Sequence, residues 1–447
     1  MAARTADGDP RLQMWRRVRE FAVPQPMIDA ATARRAVGDW AGACAAARVT
    51  VDLDLRAVAA RHGRELATAL RADLRHLAPD LLRWHLPRIA PDGLLRPGLT
   101  LTLARYGRAD GAPALHLVAR TPPAWADAGQ RIGLALWDPA RPSVTADRHP
   151  HPHPSRRFRL DLHRHLWDAR RSPELPVRCG AADLTGPSDH GSWAVDRWAA
   201  EAGLLLRAEG RPSGRVGVRL DGRHTLVLDI DECGAVVPSE ADGSPELLLL
   251  PDAATFLPPD VEMLRAGLVE PDALHPLVAV ALVPGHVPGE GPAPEETARP
   301  SARVLLVDCR GEQHRIGLVD GTLAPLDHDP GQLRREQLLA ALSGTPLPCL
   351  RAVDRAYRSP QQLDEVRGRL DHGDLAGART VIEALLGPDA ELPAGPLRDE
   401  LRSLALRRID HGLYRAGLSP VTKPHPAAGV GRSAHRRSSR PGAGSAR

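Results

Sequence analysis

Apolar residues recur every three or four positions over the first ninety residues, and this spacing predicts a helical region over about 11–90. Arg11–Val23 forms one amphipathic stretch, stopped by Pro24-Gln25-Pro26. Met27–Val37 and Asp39–Arg48 follow, the latter with Asp39 placed as its N-cap. Asp54–His62, Glu65–His76 and Asp80–Leu86 continue the pattern. Leu66, Leu70, Leu74 and Leu77 share one helical face, and Trp84 is expected in the core.

The period then shortens to two. Leu99–Arg105, Ala114–Arg120 and Arg131–Asp138 alternate apolar and polar residues between Gly, Pro and Asp turns, which predicts antiparallel strands. Arg156–Leu162 is a further strand candidate, and Ser192–Leu206 reads as a helix. Asp221-Gly222 between Arg215–Leu220 and Thr225–Ile230 predicts a hairpin, since Gly accepts the positive φ that a tight turn requires. Cys233–Pro238, Glu246–Leu250, Leu277–Val283, Arg303–Cys309 and His314–Val319 add strand candidates, the last two joined through Arg310–Gln313. Residues 283–300 are rich in Pro, Gly and Glu and predict an exposed loop. The resulting fold class is α+β: a helical region, an antiparallel β-rich domain over about 95–325, and a helical domain over 331–418.

Helical spacing resumes over Gln332–Ser343, Val353–Arg358, Pro360–His372, Asp374–Leu386 and Arg398–Ala416. The polar stretches 1–10 and 422–447 cannot bury a core and are expected to be disordered. One motif recurs: Gly38-Asp39-Trp40-Ala41-Gly42-Ala43 returns as Gly373-Asp374-Leu375-Ala376-Gly377-Ala378. Each copy reads as a helix–turn–helix in which Gly closes one helix, Asp caps the next, and small residues let the two approach. Around the second copy, Asp371–Ala390 resembles part of an ankyrin repeat, and Arg407–Leu418 resembles the second helix of a degraded repeat, as in actinobacterial ankyrin-repeat proteins. The ankyrin Thr-Pro-Leu-His signature is absent, and so short an array would have to pack on the rest of the protein. The resemblance implies a partner-binding surface.

Composition changes the picture in two ways. Of the 59 basic residues only Lys423 is lysine, and asparagine is absent, a skew expected of a GC-rich coding sequence rather than of selection for nucleic acid. The net charge of +4 also comes from the end of the chain, where 422–447 carries six basic residues and no acidic one. The remaining body is slightly acidic, so a nucleic-acid partner is not expected. The 447 residues exceed one domain at roughly 150 residues per domain. Five cysteines, Cys44, Cys179, Cys233, Cys309 and Cys349, lie far apart without a CxxC, which argues against a disulfide framework or a zinc knuckle. Free thiols in a reducing cytoplasm are expected instead. No signal-peptide pattern opens the sequence and no run of about 18 apolar residues occurs, so no membrane partner is expected.

The densest chemistry lies at His149, His151 and His153, alternating with prolines, followed by Asp161, His163 and His165. On a strand the last three side chains would share a face, and imidazole with carboxylate suits zinc, with His190 or a proline-tract histidine as a fourth ligand. Arg156, Arg157, Arg159 and Arg164 crowd the same stretch and oppose a cation. Asp229-Ile230-Asp231 resembles the nucleophile motif of haloacid-dehalogenase-like phosphatases, but it lies in a hairpin and is followed by Cys233. No G-x-S-x-G, P-loop or dinucleotide fingerprint is present. The leading expectation is a non-enzymatic cytoplasmic protein that binds an unidentified protein partner through its helical hairpins, with no cofactor and no catalytic residue. The alternative is a metal-dependent enzyme or metal-binding protein centred on Asp161, His163 and His165. A second alternative is a nucleic-acid-associated regulator acting through the basic tail.

Overall fold

The computed structural model describes residues 9–418 except 109–110, 127–129, 141–148, 181–190, 222–223, 232–235, 240–246, 288–304, 310–311, 320–321, 330, 336–337, 339–346, 352–360 and 387–394. The fold is α+β, with helices dominating both ends and small sheets between them. Expected elements at 353–358, much of 332–343, most of the 283–300 loop and both terminal tails lie outside the described residues.

The chain opens with α1 (Pro10–Phe21), α2 (Gln25–Ala36), α3 (Trp40–Ala46), α4 (Leu55–His62), α5 (Arg64–His76) and α6 (Pro79–His85). Asp9, Asp39 and Asp54 accept the first backbone N–H groups of α1, α3 and α4, donors that a first turn leaves unpaired. Against the all-helical expectation, β1 (Val49–Asp52) lies among these helices. Four residues are too few to display a period, and the strand is defined by a partner far along the chain.

That partner is β6. After the short ribbon β2 (Arg88–Ile89) and β3 (Leu94–Leu95), the chain forms β4 (Thr100–Tyr106), β5 (Leu115–Arg120) and β6 (Ile132–Trp137). The sheet order is β1-β6-β5-β4; β1 runs parallel to β6, with Val49 opposite Ile132, and the other pairs are antiparallel. One core joins the helices to this sheet, with Leu70, Leu74, Leu82 and Trp84 packed with Leu101, Leu117 and Leu134. Two of its buried charges are met by ion-pair partners, as burial favours. Arg19 forks onto Asp260 at 2.7 and 2.9 Å, and His275 Nε2 lies 2.9 Å from Asp80.

Residues 156–162 are not a strand. They make turns, with one bridge from Arg159 to Thr102, and Trp167 Nε1 donates back to the Leu160 carbonyl at 2.9 Å. After α7 (Leu175–Cys179), α8 (Val195–Ala208) covers a second sheet of β7 (Gly214–Arg219), β8 (Thr225–Ile230), β9 (Val236–Ser239) and β10 (Leu248–Leu249). Its order is β10-β7-β8-β9, and β10 runs parallel to β7. The hairpin between β7 and β8 is the expected one, Asp221 accepting from His224 N at 2.8 Å; Gly222 lies outside the described residues.

Three helices follow where the alternation suggested strand or nothing: α9 (Asp252–Thr255), α10 (Pro259–Arg265) and α11 (Pro276–Leu282). The strand expected over 277–283 is α11. Pro276 stands at its first position and His275 Nδ1 accepts from Leu277 N, so a run of seven apolar residues closes as a buried helix. A third sheet is the antiparallel meander β11 (Leu305–Cys309), β12 (Glu312–Val319) and β13 (Thr322–Pro325). Last come α12 (Gln361–Asp371), α13 (Leu375–Leu386) and α14 (Pro396–Ala416), so residues 407–416 belong to one long helix. These helices fold back on the first core. Arg48 donates to the His372 carbonyl at 2.7 Å, and His411 Nδ1 lies 2.8 Å from the Ala126 carbonyl.

Candidate metal centre

The residues singled out in the sequence are not gathered at one point. Both carboxylate oxygens of Asp161 accept from Arg159, at 2.9 and 2.8 Å. His163 is buried, and its Nδ1 lies 3.1 Å from Arg178 Nη2, which also grips Glu201. His165 is buried as well, its ring edge-on to His163 with centroids 5.7 Å apart. Its Nδ1 has no partner among the described residues, and the side chain lines an apolar cavity of about 360 Å³ beside Trp84 and Phe158. His149 Nε2 is 2.9 Å from the Thr121 carbonyl, and His190 lies outside the described residues. Asp229 and Asp231 are exposed at the end of β8.

A different group converges. Cys309, His314, His328 and Cys349 each offer one donor atom, and these four atoms all lie within 4.8 Å of one another. Among the described residues it is the one cluster of metal-ligand type. Separate elements deliver the four. Cys309 ends β11 opposite Glu312, and His314 lies opposite Val307, so the strand alternation puts Val307, Cys309 and His314 on one face of the hairpin. His328 follows β13 in the turn 326–329. That turn is tied to β12 by Arg315, whose backbone N–H and guanidinium both bond Asp327, and by Leu326 N on the Arg315 carbonyl at 2.8 Å. This Arg315 fork holds the Asp327 carboxyl down to about 2. Cys349 sits in the helical turn 348–351, beside buried Leu347.

The ring nitrogens lie close to one another and to a thiol. His314 Nδ1 is 2.8 Å from His328 Nε2 and 3.8 Å from Cys349 Sγ. Glu312 stands 3.5 Å from the other nitrogen of His314, Nε2. A carboxylate there favours the Nε2–H tautomer and leaves the Nδ1 lone pair facing the cluster, the arrangement by which an outer partner orients a ligating imidazole. Tetrahedral zinc bonds of ~2.0–2.3 Å place neighbouring donors about 3.3–3.8 Å apart, in the middle of the separations here. Both thiols are buried. Burial, with the Cys309 thiol alongside, pushes the Cys349 thiol up to about 12. A bound dication reverses that balance and takes the thiolate.

The cluster lies outside what the argument from cysteine spacing looked for. Four, thirteen and twenty residues separate the donors in sequence, a pattern with no short CxxC half. The one sequence signal was the pair Cys309 and His314 flanking an expected hairpin turn, and it was faint beside the run of histidines from 149 to 165. Comparison with protein-family models, curated proteins and solved structures returns no match for the chain. The functional reading therefore rests on the chemistry of these side chains.

Proposed function

We propose that the protein is a zinc-binding, non-enzymatic protein in which Cys309, His314, His328 and Cys349 hold one Zn²⁺. The observation that carries this reading is the convergence of four soft or borderline donors, from four separate elements, within 4.8 Å. Two thiolates and two imidazoles are a donor set that zinc prefers over magnesium or calcium. Four protein ligands fill a tetrahedral shell and leave no position for water or substrate, which favours a structural or regulatory ion over a catalytic one. Reduced thiols of this kind also fit a cytoplasmic location. No described helix is long and apolar enough to cross a membrane.

The test is elemental analysis of untagged full-length protein purified under reducing conditions. The expected content is close to one zinc per chain, falling to near zero in Cys309→Ser and Cys349→Ser. Cobalt exchanged into the site should give the intense visible bands of tetrahedral thiolate coordination. A metal-free protein that also takes up no zinc when titrated would overturn the proposal. So would zinc retained in both cysteine variants but lost in a variant lacking Asp161, His163 and His165, which would move the metal to the other cluster.

A further inference from the structure

A cavity of about 380 Å³ lies between α14 and the face of the first sheet, remote in sequence from the four zinc donors. Three guanidiniums line it, those of Arg120, Arg131 and Arg415, and Asp52 is the single carboxylate in its wall. Asp52 is bonded to Arg415. Arg120 Nε is buried with no partner among the described residues. Arg131 is held below the usual guanidinium value first by burial and then by two more cations, Arg408 and Arg415. Uncompensated arginines crowding one half-buried site repel one another, and an anion relieves that cost. Tyr414 adds a hydroxyl, its ring fixed edge-on against Trp125 at 5.7 Å between centroids. Gly133, opposite both Arg120 and Thr50 in the sheet, leaves the floor open. A Cβ there would meet nothing closer than Asp52 Oδ2 at 3.5 Å.

We infer that this cavity binds a small-molecule phosphomonoester, its phosphate held by Arg120, Arg131 and Tyr414. Three guanidiniums against one carboxylate leave two positive charges, the complement of a phosphate dianion rather than of a single carboxylate. Planar guanidinium forks match phosphate oxygens in pairs. The volume exceeds a bare phosphate and falls at the small end of the ~300–1,000 Å³ range of small-molecule sites, leaving room for a compact organic carrier.

Titration calorimetry on the full chain in phosphate-free buffer tests this, with inorganic phosphate and phenyl phosphate as probes. Both should bind one per chain, phenyl phosphate more tightly because its ring fills the remaining space. Arg120→Met and Arg131→Met should each weaken binding by roughly ten- to a hundredfold, the loss of one charge-assisted contact. Gly133→Val should abolish binding with an unchanged melting temperature, and it decides the matter should either arginine variant fail to fold. Arg402→Met, an exposed arginine of α14, should bind as wild type. The inference fails if neither probe binds, if all variants bind equally, or if only a phosphopeptide or a nucleic acid binds.

Discussion

Arg178 grips Glu201 with its fork and with the same Nη2 reaches His163 Nδ1 at 3.1 Å. The same Nη2 donates to the Leu162 carbonyl at 2.9 Å, and since a guanidinium only donates, His163 Nδ1 can join these bonds as an acceptor alone, which favours the neutral Nε2–H tautomer. Burial first, and then Arg178 and Arg159, push its pKa down to about 3. The same holds for His372, also at about 3 and also chiefly through burial. The unfolded chain binds the proton near pH 6.5 and the folded protein does not. Stability is therefore full above about 6.5 and falls as pH drops toward 3, by up to about 1.4 kcal/mol per pH unit for each such histidine. His163→Gln keeps an acceptor for Arg178 and removes the titration. Urea midpoints taken between pH 7.5 and 4.5 should fall less steeply for this variant than for wild type; parallel slopes would show that His163 is not held neutral. The His-x-His pattern was visible in the sequence, but the arginine that claims the His163 lone pair comes from another element, α7, so its role was not.

At the scale of elements the repeated Gly-Asp motif is the most legible feature of the chain. Gly38 and Gly373 adopt φ of 77° and 76°, and Asp39 and Asp374 accept the N–H of Gly42 and Gly377 at 2.8 and 3.2 Å. In both copies an arginine five residues earlier, Arg34 or Arg369, bonds the capping carboxylate at 3.0 Å. The second glycine serves differently from the expectation of close helix approach. A Cβ on Gly42 or Gly377 would sit 2.1 or 2.2 Å from the capping carboxylate, so these glycines make room for the cap. Two effects then compete in Gly377→Ala. Helix propensity favours alanine by about 1 kcal/mol. Expelling Asp374 loses a cap of about 0.5–2 kcal/mol together with its contacts to Arg369 and Arg48. The expected net is destabilisation of about 1 kcal/mol. Gly412→Ala, in α14 with nothing near its Cβ, should instead stabilise by up to about 1 kcal/mol. Opposite shifts in helix melting followed by circular dichroism check the pair. Caps are local and could be read ahead, as could the strand around Leu248; β1 and α11 could not, because pairing and burial against distant residues decide such short runs.

Across the whole molecule, apolar residues collect in clusters of very unequal size. The largest draws on α1, α5, α6, the first sheet, α10 and α11, and the second sets α8 on its sheet. Around the meander β11–β13 the buried cluster among the described side chains is Cys309, Leu347 and Cys349, with Val307 and Leu350 against it. Ordering three strands and a helical turn costs conformational entropy that this cluster helps to offset. Two of the three buried members are proposed zinc ligands, and a bound ion is how small modules supplement a small core. The site was hard to read from sequence for another reason: the hairpin was legible in its alternation, but its ligands meet only once His328 and Cys349 return to it. A chelator strong enough to remove zinc should therefore act locally. Hydrogen exchange before and after chelation should show residues 305–329 and 347–351 losing protection, while Leu70, Leu101 and Leu134 keep theirs and the main melting transition moves little. Restoring zinc should restore protection, and Cys349→Ser should match the chelated pattern without treatment. Equal loss across the first core would mean that the ion supports the whole fold. Unchanged exchange in the meander would mean that its strands stand without metal, and the zinc proposal would lose its physical reason.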